Sequence, residues 1–166
     1  MSMQEESLVY SEGVVDVSII VPACFNNPLK DDSISFLTQV LSWKRKAKIP
    51  ISSIIGAYYI ATQYLGVPKN IVREILEGIL RTSSPALYPT ISPEVALKGL
   101  EYSVAYNIEA WDGYLVSIAK SLGTTIIYSL DKELSKVKEI TVVNPFKQDN
   151  VKKYHEFIKA RISKAK

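Results

Sequence analysis

The chain has 166 residues, 47% hydrophobic and 22% charged, with a net charge of +3. Those values describe an ordinary globular protein, most simply one domain with a sizeable core. Its one cysteine, Cys24, excludes an intramolecular disulfide or a cysteine zinc site, and fits a reducing, cytoplasmic compartment.

Residues 1–12 form an acidic N-terminal tail that lacks the basic and then apolar segments of a secretory signal. From Gly13, "GVVDVSIIV" alternates and is rich in β-branched residues, which predicts a strand. Asp16 interrupts it. An ionised carboxylate inside a strand costs several kcal/mol unless it is paired, hydrogen-bonded or bound to a metal, and the nearest cation in sequence is Lys30. "DDSISFLTQVLSWKRKA" then reads as a helix, with acids at its start, apolar residues at Ile34, Leu37, Val40 and Leu41, and cations at its end.

"KIPIS" is a short buried strand and "SIIGAYYIATQYL" a buried helix. The uncharged run over residues 49–68 is long enough to span a bilayer, but it holds two prolines, two glycines and several polar residues. A soluble core, with no membrane partner, is the better reading. Pro68 opens the next helix, with Ile71, Ile75 and Ile79 at spacing four. "ALYPTI" is irregular or an edge because of Pro89, and Ser92 with Pro93 caps the helix "PEVALKGLEYSVAY". The segment Asp112 to Leu122 is a helix with Leu115, Val116 and Ala119 buried. It is followed by the strand "TTIIY", then "SLD", then the strand "EITVV", stopped by Asn144-Pro145.

A basic helix runs from about Val151. Residues 147–166 carry a net +5, which leaves the rest at −2. Such a tail suits nucleic acid or another anionic partner, or equally a solvated helical face. The lone His155 reads as a solvated surface residue. Strands alternating with helices predict an α/β fold with a mostly parallel central sheet between two helical layers, and functional groups at the carboxyl ends of the strands.

Three acids stand near the ends of core elements: Asp16, Asp112 and Asp131. Asp112 alone reads as an N-cap, and Asp131 as a cap on the turn "KEL". Asp16 resists such a reading, because strand interiors deplete aspartate. Together they point to a shared anionic pocket. Carboxylates with no histidine or cysteine select Mg²⁺ or Mn²⁺, and such a pocket suits hydrolysis of a phosphodiester.

Three motifs resemble the PIN-domain nucleases, especially VapC-type toxins. "VVDVSIIV" is similar to the family's first strand, with Asp16 followed by the small polar Ser18. "WDGYLVSIAKSLG" resembles the helix that begins with an aspartate and ends in a glycine. "TTIIYSLDKEL" resembles the next strand, closing in Thr/Ser-x-Asp. The resemblance covers residues 13–146 and makes 147–166 an appended basic helix. It implies a PIN-like three-layer fold and a Mg²⁺-dependent endoribonuclease. Asp16, Asp112 and Asp131 would hold the metal and activate water, with Ser18 and Ser129 in support. RNA would be the substrate, a cognate antitoxin a partner, and a homodimer could form through the tyrosine-rich helix.

One position departs from the pattern. The family places a glutamate in the helix after the second strand, and here that position is Tyr58, with no acid between Asp32 and Glu74. Glu109, one turn before Asp112, would be the stand-in, although its position does not match that of the missing acid. A second reading follows: a degenerate PIN domain that binds RNA or protein without catalysis. An unrelated α/β hydrolase is a third, without a Ser/His/Asp set or a P-loop to carry it.

Overall fold

The structure, a computed structural model, describes residues 11–89 and 92–164. The expected N-terminal tail therefore lies, apart from Ser11 and Glu12, outside the described residues, as does the end of "ALYPTI".

Five strands form one sheet: β1 (Gly13–Val15), β2 (Ala47–Pro50), β3 (Leu87–Tyr88), β4 (Ile126–Tyr128) and β5 (Thr141–Val143). Their order is β3-β2-β1-β4-β5, and every neighbouring pair is parallel. Among the described residues there are seven α-helices: α1 (Val17–Ile20), α2 (Lys30–Leu41), α3 (Ile51–Tyr59), α4 (Lys69–Arg81), α5 (Pro93–Tyr106), α6 (Ala110–Ser121) and α7 (Gln148–Lys164).

Successive strand side chains point to opposite faces, so each strand feeds two cores. Val15 and Tyr128 join α1, α2, α3, α4 and α7 on one face. Val14 and Ile127 join Leu115, Val116, Ile118 and Ala119 of α6 on the other, with α5 packed outside α6. The result is the expected three-layer α/β/α arrangement, with a sheet that is parallel throughout. No helix among the described residues is long and apolar enough to cross a membrane. The uncharged run becomes β2, α3 and a π turn over Ile60–Tyr64.

Several elements differ from expectation. The first strand stops at Val15, and Asp16 is the N-cap of α1, accepting from the Ser18 N–H. Asp16 thus stands at the carboxyl end of the strand and not inside it. Helix α2 ends at Leu41, because Trp43 takes a left-handed backbone (φ 61°) with Lys46 and Lys48 against its ring. In α4 the buried stripe is Val72, Leu76 and Ile79, whereas Ile71 is exposed. The basic tail is no free appendage. Val151 and Tyr154 of α7 lie in the main core, and Asn150 donates to Asp32 at 2.9 Å. Arg161 donates to the Leu65 carbonyl at 2.6 Å, with its guanidinium 5.4 Å from the centre of the Phe25 ring.

Candidate functional site

In this strand order the connections turn in opposite directions on either side of β1 and β4. A parallel sheet opens a crevice at such a place, beyond the carboxyl ends of the two strands. Asp16 directly follows β1 and Ser129 directly follows β4. The Asp16 N–H donates to the Tyr128 carbonyl at 3.0 Å, which ties the two strand ends together.

Asp16 is 2% exposed. Its Oδ2 accepts 2.7 Å hydrogen bonds from both Ser18 Oγ and Ser129 Oγ. The two hydroxyls are fixed in turn, since Ser18 Oγ accepts from the Leu130 N–H and Ser129 Oγ from the Asp131 N–H, each at 2.9 Å. The two serines therefore set the carboxylate's orientation. Burial pushes the Asp16 carboxyl up from its usual range, and the serine hydrogen bonds only partly oppose this.

Asp112 comes from the first turn of α6. It is not the N-cap: that position belongs to Glu109, which makes no side-chain cap bond. Asp112 is 8% exposed, and Gly113 beside it seats α6 on α5, where a Cβ would collide with Gly99 and Ser103. Burial, then the negative charges of Asp131, Asp16, Glu109 and Glu133, raise the Asp112 carboxyl to about 7. Asp131 is half-buried and does cap the turn Lys132–Lys136, its Oδ1 accepting from the Glu133 N–H at 2.9 Å.

All three aspartates and Glu109 line one open pocket of about 340 Å³, and among the described residues no lysine or arginine lines it. Its other walls were not read from the sequence. The π turn after α3 supplies Ile60, with Leu65 just beyond; α7 supplies Tyr154, His155 and Ile158; and Trp111 stands beside Asp112. His155 is exposed, as expected, yet it sits at the pocket edge. Tyr58 is half-buried against the main core and is not part of the pocket wall. From this segment, Ile60 is the residue that faces the acids. Val151, Tyr154 and Ile158, at i, i+3 and i+7, carried a signal that α7 has an inner face.

A hard divalent cation fits the acids and Ser18 in chemistry and in charge, as carboxylate and hydroxyl oxygens with mutual repulsion unrelieved, while the pocket's one imidazole, His155, stands at its edge. As the side chains stand, no three acids, histidines or cysteines among the described residues converge to hold one ion. One oxygen of Asp131 is committed to its turn and one of Asp16 to the serines, so the acids share the pocket without closing on a point. No model of a known protein family matches the chain, and comparison with curated proteins finds no similar sequence.

Proposed function

We propose that this protein is a metal-dependent endoribonuclease of the PIN-domain type, with a site weakened by one carboxylate. The observation that carries the reading is the acid pocket itself. Three separate elements each bring an aspartate to the switch point of a parallel sheet, and among the described residues no lysine or arginine lines their pocket. Carboxylates buried in this way destabilise the fold unless a ligand offsets the repulsion. A bound divalent cation supplies the charge and Lewis acidity that activate water and neutralise a phosphate. Asp16, held by Ser18 and Ser129, is the fixed ligand. Asp112, protonated near neutrality without a cation, would release its proton on binding one. Asp131 would turn from its cap to complete the set. The further assignment as a toxin rests on the sequence resemblance.

A second reading is a PIN-like domain that binds RNA without cutting it. Two observations favour it: Ile60 occupies the wall where a fourth acid would help, and the three aspartates do not converge. Removal of even an outer partner of a metal site costs about 10- to 100-fold in affinity or activity, so a missing ligand costs at least that. The experiment is a Mg²⁺ and Mn²⁺ titration with RNA cleavage, for the natural protein, Asp16→Asn, Tyr58→Glu and Ile60→Glu. The enzyme reading expects weak metal binding, slow cleavage abolished by Asp16→Asn, and tighter metal binding in Ile60→Glu but not Tyr58→Glu. Absence of metal binding in the natural protein, with no cleavage that Asp16→Asn removes, would refute it.

A further inference from the structure

We infer that the pocket takes one nucleotide of single-stranded RNA with its base stacked on the Trp111 indole, the strand continuing into the neighbouring groove past Lys132, Lys152 and Lys159. This rests on the nuclease or RNA-binding reading of the same pocket, and adds which residues hold the strand.

Trp111 is 42% exposed, although it is one of the largest apolar side chains of the protein. It is nonetheless braced. A Cβ on Gly56 of α3 would come within 3.0 Å of the indole Cζ2, so the ring lies directly on a helix that lacks a side chain there. Tyr114 packs near it, ring centres 6.3 Å apart. The indole is thus a rigid ledge, and it forms part of the same wall as Asp16 and Asp112. An exposed, rigid aromatic face beside a phosphate-handling site suits a nucleobase, which offers a π face whatever its sequence.

A second cavity of about 660 Å³ adjoins the first, sharing Leu130, Asp131 and His155. Lys132, Lys152 and Lys159 line it and make no ion pair among the described residues. Asp149 and Glu156 line it too, so its field is balanced, and the lysines act as separate contacts to phosphates. The path runs from the indole, past the acids, over Asp131 and along α7. That geometry fits an extended single strand, whereas a duplex would bury its bases away from the ledge.

Trp43, the only other tryptophan, lies before the amino end of β2, away from the carboxyl ends of the strands where the pocket opens, so Trp43→Phe leaves Trp111 as the sole tryptophan reporter. This protein would be titrated in EDTA with an oligouridylate of about ten nucleotides. The Trp111 emission should change on binding. With a labelled oligonucleotide, Trp111→Leu should lose affinity by about 5- to 150-fold and Trp111→Tyr should keep most of it. Lys152→Gln and Lys159→Gln should each flatten the salt dependence by about 0.7 in log–log slope. Unchanged emission, or equal affinity for the leucine and natural proteins, overturns the inference, and the surface lysine variants decide it if Trp111→Leu does not fold. EDTA excludes turnover, so binding through Trp111 without cleavage would sink only the enzyme reading. Metal-dependent cleavage with KM unaltered by Trp111→Leu would sink only the ledge.

Discussion

Asp112→Asn tests the electrostatics of the pocket most directly. The carboxyl ordinarily titrates near 3.8 and here near 7, so between those values the folded protein holds a proton that the unfolded chain has released. Unfolding then releases a proton, and stability falls as pH rises from about 4 to about 7. A shift of about three units corresponds to about 4 kcal/mol when fully shielded, and water at the open pocket mouth reduces this to about 2 kcal/mol. The asparagine variant lacks the repulsion, so it should be more stable than the natural protein by about 2 kcal/mol at about pH 8, and by about a third of that at about pH 5. For a chain of this size that is about 4 to 8 °C in Tm at the higher pH. Thermal melts at both pH values, with and without Mg²⁺, read it out. Mg²⁺ should raise the Tm of the natural protein at the higher pH and narrow the gap. A difference that is the same at both pH values, or an asparagine variant that melts lower at the higher pH, refutes the argument.

Gly113→Ala should destabilise by about 1–3 kcal/mol or more, because the new Cβ meets the backbone of α5. Gly78→Ala in α4, where nothing lies within 4 Å, should instead stabilise by about 0.5–1 kcal/mol, and urea melts of both variants check the pair. Arg161→Met keeps the aliphatic stem but loses the bond to the Leu65 carbonyl and the contact with Phe25. It should cost about 1–3 kcal/mol and speed amide hydrogen exchange in α7, and unchanged exchange there would show that the helix is held by its apolar face alone.

The layers and the order of elements were legible because β-branched runs and amphipathic periods alternate cleanly along the chain. What the sequence hid has particular causes. Val17, Ile19 and Ile20 favour a strand, but the Asp16 carboxylate caps the Ser18 N–H and turns them into helix, a local bond overriding a propensity. Isoleucines at spacing four drift by about 40° per step around a helix of 3.6 residues per turn. The run Ile71, Ile75, Ile79 therefore swings from an exposed Ile71 to a buried Ile79, and Val72 and Leu76 complete the buried stripe. The +5 charge of residues 147–166 masked the inner face of α7, from which Tyr154 and Ile158 close one wall of the pocket. The three aspartates stood out as charge in apolar company, and the two serines were named through the family resemblance. The wall residues Ile60 and Leu65 were not, because a π turn leaves no mark in the spacing of residues.

The bond between Asp16 and Ser129 joins residues 113 positions apart. A chain synthesised from its amino end at roughly 5–20 residues per second extends for roughly 6 to 23 seconds between those two residues. Throughout that interval Asp16 has no strand β4 beside it and no Ser129 hydroxyl to orient it. The pocket then still lacks α7, whose Arg161 comes later again. The site is therefore a late product of the chain's own manufacture: an unfinished polypeptide carries the first aspartate but has no pocket to put it in.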